Sequence, residues 1–344
     1  MSKKFHFTNF CFTPLPEFND RNFANNYKWV NDKILIIKNS EKITKIVNKA
    51  REKSDFISGY DFLNEIRPSP YFLARFVKDD EISRHNRNCV KEARQAANDL
   101  RLFLQALRLT KAIVSSGRIC IYYYDKNTYS MRDRTYVYTP KHTTARVGFD
   151  ELKQANKIYE KILEANNREP NRLLTSILFF EFAQRKFQVL ERYTNATAAL
   201  ESIFNTDAFE VTHQVCERVS LFLGEDHAFL KKMIFRNMKK IYGIRSSLAH
   251  GQIIPTKQIT SNPFLIEALE SYFRITISKI MRDDKLFQLF TVKEGKNTEK
   301  IREYFVDLLF ERPKFRTASG IEAESVLWCG QAPEQNEKRP RRLA

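Results

Sequence analysis

An arginine and a histidine five positions apart, Arg245 and His250, are the residues of this 344-residue chain whose types and spacing best suit a chemical reaction. They lie in the segment 239–251, KKIYGIRSSLAHG, which continues the three- and four-residue apolar spacing of a helix. Arg245 falls on the apolar side, where a guanidinium is costly unless it is paired or faces a wet cleft. Gly251 follows His250, as a glycine does where a helix ends in the left-handed conformation.

These residue types suit the cleavage of RNA, which carries its own nucleophile in the 2′-hydroxyl. Cleavage then needs a group that moves a proton and a cation that stabilises charge on the phosphate. His250 suits the first role, because helix-end carbonyls favour its protonation while a nearby arginine opposes it. Arg245 suits the second, since a guanidinium can grip a phosphate with two hydrogen bonds. Ser246 lies four residues before His250 on the same face, where its hydroxyl can orient the ring.

The alternative for Arg245 and His250 is a structural pair at a helix end, satisfied by neighbouring carbonyls. An arginine followed by a histidine at such a spacing arises about once by chance in a chain of this composition. The spacing alone therefore does not separate the catalytic role from the structural one.

The sequence offers no metal site beside this pair. It contains no His-Glu-x-x-His, no Cys-x-x-Cys and no glycine-rich loop ending in lysine, so we expect neither a metal nor another cofactor. The five cysteines are odd in number and widely spaced, which fits free thiols in a reducing cytosol. The opening MSKKFHFTNF lacks the apolar run of a secretory signal, and the apolar stretch at 173–180 is too short for a bilayer. We therefore expect a cytoplasmic protein without membrane contact.

The pattern of apolar and polar residues along the whole chain predicts two domains and a mainly α protein. Residues 1–149 are expected to form an α+β domain with a sensor or recognition role. Its elements are an aromatic strand within 5–12, a strand at 28–38, a helix over 88–114, and a hairpin of strands 118–124 and 134–138 joined by a polar connector.

Residues 150–315 are expected to form an all-α bundle, followed by a flexible basic tail at 316–344. The predicted helices span 150–165, 171–204, 208–223, 226–250, 263–283 and 298–311. Asp207 and Asp226 are placed to cap two of them, because a short carboxylate accepts the unpaired amides of a first turn. The tail ends in a cluster of lysine and arginine, which suits either contact with a polyanion or an unstructured end without a role.

The segment Tyr242-Gly-Ile-Arg245-Ser-Ser-Leu-Ala-His250-Gly251 resembles the signature of HEPN domains, in particular the Apea-like HEPN group. Upstream, 199–204 (ALESIF) is similar to that family's glutamate-bearing helix, and 210–224 is similar to the helix and turn that follow it. The resemblance is specific over about residues 171–255.

This resemblance implies a compact helical bundle that is usually dimeric, with two Arg/His pairs meeting in a cleft between the copies. It also implies metal-independent endoribonuclease activity, often in bacterial anti-phage defence, abortive infection or toxin systems. If the family's roles are carried over by position, Arg245 and His250 would be catalytic and Glu201 would orient Arg245. Ser246 would correspond to the polar residue that follows the arginine in the family's motif. Some HEPN domains have lost catalysis and serve as binding modules.

The net charge of +17 agrees with an anionic partner, since such a charge attracts nucleic acid over long range. In the expected hairpin, Arg118, Lys126, Arg132 and Arg134 alternate with tyrosines, and aromatic faces among cations can stack bases and follow phosphates. The alternative is that these tyrosines are ordinary half-buried strand residues.

The sequence therefore predicts an α+β domain followed by a HEPN bundle that cleaves RNA as a homodimer. The rival is a non-catalytic HEPN module that binds RNA or regulates a partner. A DNA-binding regulator is disfavoured, because no helix-turn-helix pair with a basic second helix is present.

Overall fold

The computed structural model describes residues 9–15, 18–19, 27–38, 70–76, 89–112, 119–123, 128–132, 146–185, 188–251, 263–292 and 297–310. Within these ranges, strands occur only before residue 133, and the chain after residue 148 is almost entirely helical. The prediction of a mainly α chain with its strands in the first half is confirmed. The predicted tail at 316–344 lies outside the described residues.

An antiparallel sheet forms the scaffold of the first half. Its six described strands, in the spatial order β2-β3-β4-β1-β5-β6, are β1 Asn9–Pro14, β2 Tyr27–Trp29, β3 Ile34–Lys38, β4 Tyr71–Phe76, β5 Ile119–Tyr123 and β6 Thr128–Arg132. In the central register, Cys11 of β1 lies opposite Arg75 of β4 and Ile121 of β5. Consecutive residues of β3 and β4 are buried, so both faces of the sheet centre are covered. Helix α1 (Cys89–Thr110) packs on β1, β4 and β5.

Eight further helices follow in the described ranges. They are α2 Phe149–Asn166, α3 Arg172–Arg185, α4 Val189–Phe204, α5 Val211–Gly224, α6 Ala228–Ala249, α7 Pro263–Arg282, α8 Asp284–Thr291 and α9 Thr298–Phe310. One apolar core joins the sheet, α1 and these helices, with Leu73, Leu104, Leu200 and Phe273 all fully buried in it. None of these described helices is both long and apolar enough to cross a membrane.

The predicted helix 171–204 is wrong in one respect, because it is two helices. Helices α3 and α4 pack on each other, and Gln188 is already in an extended conformation before α4. The segment between the two helices, 186–188 (KFQ), contains no glycine or proline, so the usual signals of a helix break were absent. The short helix α8 was also missed, although Asp283 caps it by accepting hydrogen bonds from the amides of Lys285 and Leu286 at 2.8 and 3.1 Å.

Both predicted aspartate caps are wrong. Helix α5 begins after Glu210, which is left-handed (φ 52°), and α6 begins after His227, and neither start has a side-chain cap. The Asp207 carboxylate instead accepts hydrogen bonds from Arg302 of α9, an ion pair that a local pattern does not reveal.

The predicted hairpin exists with a different second strand. Strand β6 lies inside the stretch expected to be a polar connector, and Thr128 pairs opposite Tyr123. The predicted strand at 134–138 lies outside the described residues.

Buried ion pairs connect α1 to the bundle and fasten the bundle itself. Arg108 near the end of α1 donates to Glu181 of α3 at 3.0 Å, and its carbonyl accepts from Nε of Arg274 at 2.9 Å. Glu270 of α7 lies between Arg192, which donates to it, and Arg274, whose Nη2 is 3.5 Å away. Burial lowers the pKa of Arg274, and Glu270 opposes that effect. The Glu270 carboxylate therefore neutralises two guanidinium groups in the interior of the bundle.

We predict that Glu270→Ala destabilises the protein by about 3–5 kcal/mol, because it leaves buried positive charge without its counter-ion. Urea unfolding measures the effect. Glu267→Ala, on the same helix at a half-buried position, is the control and should change the free energy of unfolding far less. Equal effects of the two substitutions would contradict this role for Glu270.

Candidate active site

Helix α6 carries the candidate pair and is held in the bundle by α4, α5 and α7. Its core face is formed by Ile234, Met238 and Ile241, all fully buried, and the partly buried Leu248 continues it. Arg245 lies four residues after Ile241 on that same face, as the sequence predicts. A guanidinium is thereby brought to the edge of the apolar core.

An ion pair with Glu201 of α4 stabilises Arg245 in this position. Nη2 of Arg245 lies 3.3 Å from Oε2 of Glu201. The Glu201 side chain is 17% exposed and that of Arg245 is 36% exposed, so the carboxylate is mostly buried while part of the guanidinium faces solvent. The structure thus brings together two of the four residues that the sequence singles out.

Tyr242 belongs to the same cluster, although sequence reasoning gave it no role. Its hydroxyl and Oε1 of Glu201 are both buried, and neither makes a hydrogen bond in the described part of the chain. Burial raises the pKa of Tyr242, and the neighbouring Glu201 carboxylate raises it further, so the phenol stays protonated and can donate. Glu201 therefore has one oxygen for Arg245 and a second facing a buried potential donor. The signal for Tyr242 in the sequence was its spacing of three residues before Arg245, which places both on neighbouring positions of one helix.

His250 lies at the end of α6 and is exposed. It is the C-cap residue, and its backbone N–H donates to the carbonyl of Ser246 at 3.1 Å. Gly251 adopts the predicted left-handed conformation with φ 66°, and its N–H donates to the carbonyl of Leu248. Ser246 is also exposed, but no hydrogen bond joins its hydroxyl to the His250 ring, so orientation of the ring by Ser246 remains a prediction.

The two candidate catalytic side chains leave the helix in different directions. Five residues at 3.6 residues per turn separate Arg245 and His250 by roughly 140° around the axis and about 7.5 Å along it. Arg245 points to the side of α4, whereas His250 continues the solvent-exposed face. The two side chains therefore start from different sides of α6.

The other candidate residues lie apart from this site or outside the described ranges. Arg132 is the last residue of β6, opposite Ile119, while Arg118, Lys126 and Arg134 fall outside the described residues. In the part of the chain that the structure describes, no group of three His, Cys, Asp or Glu side chains is placed to hold a metal ion. Burial raises the pKa of the Cys216 thiol to about 12, which makes it an inert core residue.

Comparisons with known proteins found no relative of this chain. No protein-family model, no curated protein and no solved structure matches the chain.

Two glycines of this segment have opposite structural roles, which yields a paired prediction. Gly251→Ala should destabilise the protein by about 1 kcal/mol or more, because an alanine is strained at φ 66°. Gly243→Ala should stabilise it by about 0.5–1 kcal/mol, because Gly243 is inside the helix and a methyl group there would meet no neighbouring atom within 4 Å. Thermal and urea unfolding of both variants measure the difference. A stabilising Gly251→Ala would contradict the left-handed helix end that positions His250.

Proposed function

We propose that this chain is a metal-independent endoribonuclease of the HEPN type, in which Arg245 and His250 act on the scissile phosphate. The observation that carries the proposal is the Arg245–Glu201 ion pair at 3.3 Å. It holds a partly exposed guanidinium at the edge of the core, one helical turn and a half before an exposed histidine. A cation with fixed orientation and an accessible imidazole are the two groups that RNA cleavage by its own 2′-hydroxyl requires.

Each group has a defined role in this mechanism. His250 accepts the proton of the 2′-hydroxyl, or donates a proton to the departing 5′-oxygen, since an imidazole nitrogen can act as a general base or a general acid. Arg245 donates hydrogen bonds to the non-bridging phosphate oxygens and stabilises the negative charge that develops there. Glu201 is a positioning residue, because it contacts the guanidinium rather than the RNA and limits the rotation of Arg245. The bond between phosphorus and the 5′-oxygen breaks as the bond to the 2′-oxygen forms.

We infer that a second copy of the chain completes each site. Within one chain the two side chains diverge by roughly 140° around α6. In a two-fold symmetric dimer in which the ends of α6 meet, Arg245 of one chain and His250 of the other can reach one phosphate. This arrangement agrees with the dimeric cleft that the HEPN resemblance implies.

The resemblance also motivates a biological setting, which is bacterial anti-phage defence or abortive infection. An RNA-cleaving enzyme in such a system must stay silent until infection. The α+β half is the candidate sensor, because it is in direct contact with the bundle. Arg108 of α1 forms hydrogen bonds with residues of both α3 and α7.

The rival is a non-catalytic HEPN module, and one observation favours it. Arg245 is already engaged by a carboxylate, as a purely structural arginine would be. In that case Arg245 maintains the fold and His250 is only a surface residue. The two functions differ in what substitution of His250 does, because that side chain is exposed and makes no hydrogen bond or ion pair with a described residue.

Cleavage of total cellular RNA in EDTA is the decisive test. We expect His250→Ala and Arg245→Ala each to reduce cleavage by about 10²-fold or more, as loss of a proton-transfer group or a charge-stabilising donor does. Arg245→Lys keeps a cation beside Glu201 and should therefore fold normally. It should still lose most activity, because a lysine cannot donate the two parallel hydrogen bonds that a guanidinium donates to a phosphate.

Two exposed residues provide matched controls for these variants. His227 precedes the first turn of α6, and Arg282 ends α7. His227→Ala and Arg282→Ala should cleave like the wild type. If His250→Ala retains full activity, or if no protein cleaves RNA even with phage-infected lysate present, the nuclease proposal fails and the binding module replaces it.

A further inference from the structure

The outer face of α6 is strongly cationic, and its exposed lysines and arginine make no ion pair with a described residue. The helix contains six cations, Lys231, Lys232, Arg236, Lys239, Lys240 and Arg245, and no carboxylate. Of these, Arg245 alone makes an ion pair with a described residue. Some cations of other helices are paired with nearby carboxylates, as Lys161 is with Glu164 and Asp284.

Four of these cations share one side of the helix with the candidate catalytic histidine. Lys232, Arg236, Lys239 and Lys240 are all exposed. At about 100° per residue, they fall within roughly 100° of arc, and His250 falls within the same arc. The row from Lys232 to His250 is about 27 Å long, at about 1.5 Å per residue. A continuous positive strip of this length can accompany several phosphates of an extended strand.

An exposed aromatic ring lies on the same arc at the start of the row. Phe229 is 72% exposed, although burial of a phenylalanine is normally favoured. Its position, three residues before Lys232, puts it on the cationic side and not on the core side. An exposed ring beside a row of cations is the combination that stacks unpaired bases and follows their phosphates.

Gly243 completes the strip between the cations and His250. It is exposed, and a side chain at this position would meet nothing within 4 Å, so packing within the chain does not require a glycine there. The absence of a side chain lets a polymer backbone approach the helix closely just before His250.

We propose that the outer face of α6, consisting of Phe229, Lys232, Arg236, Lys239, Lys240 and Gly243, is the binding track for single-stranded RNA and leads it to His250. The choice of RNA as the polymer rests on the proposed function. The track itself is distinct from the Arg245–Glu201 pair, which lies on the other side of the helix. Single-stranded RNA fits better than a duplex, because Phe229 can stack only on a base that is not enclosed in a helix.

Binding of a short fluorescent single-stranded RNA with 2′-O-methyl groups, followed by anisotropy, tests the track without cleavage. For four phosphate contacts, the logarithm of affinity should fall against the logarithm of salt concentration with a slope of about −3. The combined variant Lys232→Ala, Arg236→Ala, Lys239→Ala and Lys240→Ala should bind at least tenfold more weakly, with a much smaller slope. Phe229→Ala should weaken binding by about tenfold.

Matched controls separate the track from net charge and from general hydrophobicity. The variant Lys153→Ala, Lys157→Ala, Lys285→Ala and Lys300→Ala removes the same charge from exposed positions elsewhere, and it should bind within about threefold of the wild type. Phe264→Ala removes a ring that is 50% exposed at the start of α7 and should bind normally.

Several results would overturn the proposal. These are equal losses in the two combined variants, a Phe229→Ala variant that binds normally, duplex RNA that competes as well as the single strand, or binding to phosphatidylserine vesicles without binding to RNA. The proposed function is tested separately. If the protein binds RNA along this track but never cleaves it, the binding track stands and the nuclease proposal fails. If the protein cleaves RNA and the combined α6 variant binds as well as the wild type, the nuclease proposal stands and the binding track fails.

Discussion

The ion pair between Arg245 and Glu201 is the interaction on which the candidate site depends. It allows a guanidinium to occupy the core face of α6, where Ile234, Met238 and Ile241 are fully buried. Without a carboxylate from α4, that position would demand an apolar residue, because an unpaired charge there is costly. Since the partner comes from a different helix, the packing of α4 against α6 sets where the guanidinium lies. The orientation of the site is thus a consequence of the bundle.

Other arginines of the bundle show why Arg245 is different. Arg108, Arg192 and Arg274 are deeply placed and bind carboxylates or carbonyls in the interior, where they fasten helices together. Arg245 has a single ion pair to a described residue and a side chain that is 36% exposed. Its remaining N–H donors can therefore face an incoming phosphate, which the donors of an interior arginine cannot do. The same bundle uses arginine for structure in its interior and presents one at its edge.

The sequence predicted the features that depend on local pattern. The apolar stripe of α6 and the left-handed conformation of Gly251 follow from spacing and from the conformational freedom of glycine, and both are present. The features that depend on distant packing were not predictable in this way. The end of α3 and the start of α4 are marked by no glycine or proline, and Asp207 binds Arg302, ninety-five residues away, in preference to capping its own helix. For the site, the approach of Glu201 to Arg245 was expected only through the family resemblance, and the burial of Tyr242 beside them required the structure.

Mixing two inactive variants tests whether Arg245 of one chain and His250 of another act on the same phosphate. Arg245→Ala and His250→Ala carrying different tags are allowed to exchange subunits, and RNA cleavage is measured in EDTA. About half of randomly mixed dimers contain both variants, and each has one complete site, so the mixture should recover about a quarter of the wild-type activity. A mixture that stays inactive, although both tags are recovered together in one dimer, would contradict a site shared between two chains.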